Sequence, residues 1–222
     1  MNAWRSMRFM QLLLSFWAVI LAQAFFLGEH SAIADLVLAV LMLNILLVTL
    51  SAANTHKDTR HALLALWCLA LVPRLLMLHG HETGLYVFSK ACGLLLLLLC
   101  TFSLMRYLIL RKRITGDLLF AAVVIYMLIA LIFSQLYSMA DALLPDCFSY
   151  PANSLLIDGH LSGVSMNYFS YVTLATLGYG DIAPRHPVVQ MLASIEAVIG
   201  QFYVAIVVAR LVTLHTGPER KS

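Results

Sequence analysis

Apolar residues in this chain run in blocks, and six blocks stand out: Phe9–Leu27, Ile33–Ser51, Ala62–Leu78, Leu85–Leu110, Leu118–Tyr137 and Val188–Leu214. Each is closed by charge or turn formers, as at Gly28-Glu29-His30, His56-Lys57-Asp58, His79-Gly80-His81 and Arg111-Lys112-Arg113. A helix rises 1.5 Å per residue, so about 20 apolar residues cross the roughly 30 Å of a bilayer's hydrocarbon. In lipid every backbone polar group must be satisfied within the segment, which makes helix the form for blocks of this length. The pattern predicts an all-α membrane protein with six transmembrane helices per chain.

Composition narrows the class. The 222 residues are 62% hydrophobic and 11% charged, with a mean hydropathy of +0.89, whereas soluble domains carry about 25% charged residues. A cytosolic globular protein, a nucleic-acid-binding domain and a disordered chain are excluded. The net charge of +3 matters less than where the charges fall. If the blocks alternate, Arg5, Arg8, Lys57, Arg60, Arg111, Lys112, Arg113, Arg220 and Lys221 share one side. Glu29, Glu82, Asp141, Asp146, Asp158 and Asp181 share the other, with Arg185 its only loop cation. Cytoplasmic loops hold Lys and Arg in excess, so both termini are expected inside. The first block also reads as a secretory signal cut after Ala22-Gln23-Ala24, an alternative that leaves the later topology unchanged. Cys68, Cys92, Cys100 and Cys147 show no paired spacing, and neither a disulfide framework nor a zinc site is expected.

The stretch between the fifth and sixth blocks is different in kind. Residues 138–165 are polar and read as an extracellular turret. The apolar run Met166–Ala175 is about half a span, which suits a re-entrant helix. It leads into Thr176-Leu177-Gly178-Tyr179-Gly180-Asp181. Non-helical backbone at membrane depth is tolerated only inside protein or along a water-filled cavity.

Over Tyr168–Pro184 the sequence resembles the pore helix and selectivity filter of the potassium-channel family. The resemblance covers about residues 117–214. It implies that the carbonyls of Thr176, Leu177, Gly178 and Tyr179, with Gly180 closing the string, replace the hydration shell of K⁺. Glycine's access to positive φ would let successive carbonyls turn toward one axis. It implies support from Thr173, Asp181 and Glu196, a Tyr179 ring bracing the filter from behind, and a homotetramer to close the ring. K⁺ is then the permeant ion, with no resident cofactor; membrane lipid and monovalent cations are the partners, and nucleic acid is not. The expected location is the plasma membrane, the inner membrane of a bacterium, with multiple passes. Two departures are plain: Leu177 stands for the commoner valine, and Tyr168-Phe169 for a frequent pair of tryptophans.

The last block resembles the inner helix of small bacterial potassium channels. Gly200 falls at the family's hinge glycine. An interior helical glycine costs about 1 kcal/mol relative to alanine, so either a hinge or close helix packing is expected there. On that register Gln201, Val204 and Val208 face a cavity, and Val208 or Val212 forms an apolar constriction. Glu196 lies nine residues into the block. A charge at mid-membrane costs at least ~2.5–3.5 kcal/mol, which leaves a hydrogen-bonded buttress or an acid that snorkels to the interface.

The first 116 residues form a four-helix domain without a voltage-sensing helix, since Lys90 and Arg106 bracket fifteen uncharged residues. One charge moved through 100 mV supplies only ~2.3 kcal/mol, and steep voltage dependence needs several. The pore domain divides into an outer helix at 118–137, the turret, a pore helix at 166–175, the filter at 176–181 and an inner helix at 188–214. The eight residues 215–222 are expected to be a short cytoplasmic tail, too short for a ligand-binding domain. No enzyme is expected: Gly178-Tyr179-Gly180-Asp181 also spells an intramembrane aspartyl protease motif, but a second aspartate within a span is missing. A potassium-selective channel without strong voltage gating is the leading expectation. The alternatives are a nonselective monovalent cation channel and a silent subunit of the same fold.

Overall fold

The computed structural model describes residues 8–26, 69, 83–110, 115–152, 154, 156–157 and 160–216. The expected spans Ile33–Ser51 and Ala62–Leu78 lie outside the described residues, apart from Leu69. Five helices are described: α1 (Arg8–Phe26), α2 (Thr83–Leu110), α3 (Gly116–Leu143), α4 (Gly163–Leu174) and α5 (Pro187–Thr216). Three of them, α2, α3 and α5, are long and apolar enough to cross a membrane.

Helix α3 is apolar on every side, the pattern of a helix surrounded by others, and among the described residues it is the element against which the other helices pack. Its buried residues run from Leu118 through Ala121, Ile125, Leu128 and Ala130 to Tyr137 and Ala140. Thr115 caps its start, the hydroxyl accepting from the Leu118 N–H at 3.3 Å, with Asp117 in the first turn complementing the helix dipole. Pro145 ends it. The residue before a proline is pushed into extended backbone, and Leu144 sits at φ −119°, ψ 143°. The helix therefore runs six residues past Tyr137, where the sequence pattern ended the fifth span. Ser138 does not break it, because its hydroxyl donates back to the Ser134 carbonyl at 2.9 Å.

Helix α2 buries one face against α3, at Cys92, Leu96, Leu97, Cys100, Leu104 and Leu108, a spacing close to four. Its opposite face shows Phe88, Leu95, Leu98, Leu99 and Phe102 to the outside. A continuous apolar face of that kind suits lipid and not water. Helix α1 adds Phe9 and Phe16 to the core, the Phe9 ring lying 5.3 Å from that of Tyr107.

Helix α4 begins at Gly163, three residues before the expected start, because Ser162 caps it by accepting from the Ser165 N–H at 3.1 Å. Helix α5 begins at Pro187, where the missing N–H costs nothing, and His186 Nδ1 accepts from the Val188 N–H at 3.3 Å.

The connecting segment departs from a purely helical chain. Four two-residue strands form two antiparallel pairs. β1 (Phe148–Ser149) pairs with β4 (Ala183–Pro184), Phe148 opposite Pro184. β2 (Leu156–Ile157) pairs with β3 (His160–Leu161). Within the expected polar turret of 138–165 the described residues are the end of α3, the strands β1, β2 and β3, and the start of α4. The reason is backbone accounting: residues that leave a helix still need partners for N–H and C=O. Asp141 Oδ2 accepts from the Leu161 N–H at 3.2 Å and lies 3.2 Å from His160 Nδ1, which ties the second ladder to α3.

Leu128 is fully buried, whereas Leu119 is 43% exposed on the same helix. Leu128→Ala is expected to cost about 2–5 kcal/mol through the cavity it leaves, lowering the thermal midpoint in detergent, while Leu119→Ala leaves that midpoint near wild type. Equal shifts for both would contradict a central α3.

Candidate functional site

The site begins where α4 stops. The Ala175 N–H reaches Tyr171 O at 3.0 Å, Thr176 N–H reaches Thr173 O at 2.9 Å, and Leu177 N–H reaches Val172 O at 2.9 Å. The last two bonds are the Schellman closure of a helix C-terminus, which places one residue in the left-handed region. Glycine is the usual occupant; here it is Thr176, at φ +56°. A β-branched residue there is strained by about 1–3 kcal/mol, which surrounding structure must hold.

Beyond it the hand of the backbone alternates. Thr176, Gly178 (φ +55°) and Gly180 (φ +78°) have positive φ, and Leu177 and Tyr179 between them do not. In an ordinary strand successive carbonyls point to opposite sides. Alternating hands bring successive N–H groups to one side and leave the carbonyls together on the other. The stretch is open in the single chain, Leu177 being 58% and Tyr179 67% exposed.

Close packing behind α4 sets its position. Gly200 of α5 lies against the last turn of α4: a β-carbon there would meet the Leu174 carbonyl oxygen well inside contact distance, with Leu174 Cδ1 at 3.0 Å. Close packing, one of the two expectations for Gly200, is present in this contact. The same Leu174 carbonyl accepts from the Tyr126 hydroxyl at 3.1 Å. Tyr126 is 5.8 Å, centroid to centroid, from Tyr203, whose hydroxyl donates to Ala122 O at 2.7 Å. The Ser134 hydroxyl donates to Asn167 Oδ1 at 2.6 Å.

Glu196 is fully buried, not turned to an interface. Its Oε2 accepts from the Tyr137 hydroxyl at 2.6 Å, and its Oε1 is hydrogen-bonded to the Ser170 hydroxyl. Ser170 Oγ also bonds to the Ala130 carbonyl, at 2.6 Å. Three oxygen pairs share two hydroxyl protons, so all three bonds form together only when the carboxyl carries a proton of its own. This acid joins α3, α4 and α5. The Tyr137 ring packs edge-on against Phe169 and Phe148 at 5.0 and 6.0 Å.

At the other end, the Tyr168 hydroxyl donates to Asp181 Oδ2 at 2.7 Å. That bond is the main reason the Asp181 carboxyl sits below the ordinary aspartate range. Ile182 is buried, and the N–H groups of Arg185 and His186 both reach Cys147 O, at 2.8 and 3.3 Å.

On α5, Gln201 Nε2 donates to Thr176 Oγ1 at 3.1 Å. Val204 and Val208, three and seven residues further, are exposed at 48% and 53%, and Val212 is exposed as well. Arg210 Nη2 donates to the Ile109 carbonyl at 2.6 Å, at the C-terminal end of α2. The described residues hold no group of three or more His, Cys, Asp or Glu arranged for a metal ion.

Residues 117–216 match the ion channel family. They take in α3, the connecting ladders, α4, the alternating segment and α5. An ion channel domain in a membrane protein is therefore the class to which site and sequence both point. No curated protein and no solved structure matches the chain.

Several residues here carry little signal in the sequence. Tyr137 and Ser170 were indistinguishable from ordinary span residues, although a serine amid the aromatics of Tyr168–Tyr171 is a usable signal for a buried polar partner. Tyr168 shows in the sequence only as a replacement for a tryptophan, whereas its hydroxyl is what reaches Asp181.

Two outcomes are expected. The pair Tyr168–Asp181 contributes stability fully above the ordinary aspartate value and loses it as pH falls through the depressed one. Tyr168→Phe should raise the Asp181 titration midpoint, read by carboxyl ¹³C NMR; an unmoved midpoint would disprove the bond. Glu196→Gln can donate to Ser170 and accept from Tyr137, so it should keep wild-type thermal stability, whereas Glu196→Ala should cost about 1–3 kcal/mol by stranding buried hydroxyls.

Proposed function

We propose that this chain forms a potassium-selective channel, a homotetramer that conducts K⁺ passively along backbone carbonyls. The observation that carries the reading is the alternation of backbone hand from Thr176 to Gly180 directly after a half-length helix. Twelve residues of α4 extend about 18 Å, roughly half the hydrocarbon thickness, so α4 is re-entrant and its C-terminus ends at mid-membrane. The negative end of its dipole then faces the inner mouth, where a dehydrating cation needs it. Four copies of the Thr176, Leu177, Gly178 and Tyr179 carbonyls supply the cage, with Gly180 and Asp181 at the outer end and Thr173 in the α4 turn behind it.

One chain cannot enclose an ion, and the exposed surface agrees with that. Leu177, Tyr179, Val198, Phe202 and Ile206 are large apolar side chains left open in the single chain. Neighbouring copies would cover them, Tyr179 included, so that its ring braces the filter only in the assembly. Gln201, Val204 and Val208 line the cavity, and Val208 or Val212 narrows it. Glu196, through Ser170, holds α4 against α3 and α5. The first 116 residues supply four spans and no voltage sensor, since the stretch between Lys90 and Arg106 in α2 is uncharged. The six-span subunit lies in the plasma membrane with both termini in the cytoplasm, in line with the basic loops.

Purified protein in liposomes should pass K⁺ in preference to Na⁺, with inhibition by Ba²⁺. Gly178→Ala should abolish flux without preventing assembly, because alanine is strained at φ +55° and shifts the carbonyls it joins. Equal K⁺ and Na⁺ flux would instead identify a nonselective cation channel, and absence of flux a silent subunit. Normal K⁺ flux in Gly178→Ala would refute the filter assignment.

A further inference from the structure

Thr176 occupies a backbone position suited to glycine, and one side chain from another helix fixes its hydroxyl. Gln201 Nε2 donates to Thr176 Oγ1 at 3.1 Å across a sequence gap of 25 residues. The reach depends on the residue before it: only because Gly200 has no side chain does α5 come against the Leu174 carbonyl. The bond is therefore prepared by backbone geometry on both helices.

A threonine hydroxyl has one proton and two acceptor lone pairs. Left alone at a helix end, it turns back to bond a carbonyl of its own last turn. The Gln201 amide occupies one lone pair, so a second is left to accept from a donor or to ligate a cation. Both side chains of the pair are exposed in the single chain. Resting on the pore reading above, we infer that Gln201 is a positioning residue for the innermost cation site: it sets the Thr176 hydroxyl oxygen as a ligand at the inner mouth of the filter. The ligand class is a large, weakly hydrated cation, K⁺ in conduction and Ba²⁺ as its doubly charged analogue of similar size. Gln201 need not touch the ion, and its effect passes entirely through the Thr176 hydroxyl.

The test uses the full-length protein in liposomes, with K⁺ flux measured against Ba²⁺ added on the cytoplasmic side. Gln201→Leu keeps the volume and removes the donor, and is expected to weaken Ba²⁺ inhibition about fivefold, the factor that one net hydrogen bond carries. In a Thr176→Ala background, Gln201→Leu should add nothing, since the hydroxyl through which it acts is gone. Ba²⁺ inhibition unchanged in Gln201→Leu overturns the inference. So does a full fivefold loss that persists in Thr176→Ala, which would make cavity polarity the cause. If Thr176→Ala fails to assemble, Gln201→Asn decides: it is as polar but one methylene too short, and wild-type inhibition in that variant overturns the inference. A wild-type protein without Ba²⁺-sensitive K⁺ flux overturns the pore reading itself and this inference with it, whereas selective flux with unaltered inhibition overturns this inference alone.

Discussion

The contact of Gly200 with the Leu174 carbonyl is the constraint on which the arrangement of α4 rests. A short helix ending inside the protein has carbonyls to satisfy and little length with which to anchor itself. Here the terminal turn is clasped from two directions, by the bare backbone of α5 and by the Tyr126 hydroxyl of α3. Small residues let helices approach closely in lipid, where no hydrophobic force between them is available. With α5 drawn in, Tyr203 reaches the α3 backbone and Glu196 reaches Ser170. Packing and polar bonding are thus two results of the same close approach.

The polar groups behind α4 are mostly hydroxyls aimed at backbone carbonyls: Ser170 at Ala130, Tyr203 at Ala122, Tyr126 at Leu174, Tyr171 at Met127. Such bonds pin one helix to another without a permanent charge, which suits a membrane interior. Glu196 is the one carboxyl in this set, and it is held by two hydroxyls from two different helices. The strained Thr176 is the other exceptional residue, and it lies at the end of the element these bonds hold still. Strain persists where surroundings over-determine a conformation, and α4 is gripped along its whole length.

Much of this was legible in the order of residues. The long apolar blocks mark α2, α3 and α5 because length and hydropathy need no tertiary information. The Gly178 and Gly180 pair announced positive φ, because glycine alone tolerates it cheaply. Helix ends were harder. The polar run after Tyr137 looked like a loop, yet Ser138 bonds within the helix and only Pro145 stops it. Thr176 gave no warning of its left-handed backbone, since threonine is not the residue such a position selects. The partners of Glu196 were out of reach for a different reason: Tyr137 and Ser170 are 59 and 26 residues away, and no periodicity links them.

The pairing of β1 with β4, with the Arg185 and His186 N–H groups on Cys147 O, closes the chain shortly after α3 and again just before α5. Everything from residue 150 to residue 182 is therefore one loop with a fixed base. The β2–β3 ladder lies on that loop between the base and the Ser162 cap. The entropy of closing a loop grows only with the logarithm of its length. Residues added at 150–152, between that base and the β2–β3 ladder, would thus cost the fold little, while the ends that hold α4 stay where they are. The chain thus has a place to take up extra residues without disturbing the backbone that holds α4.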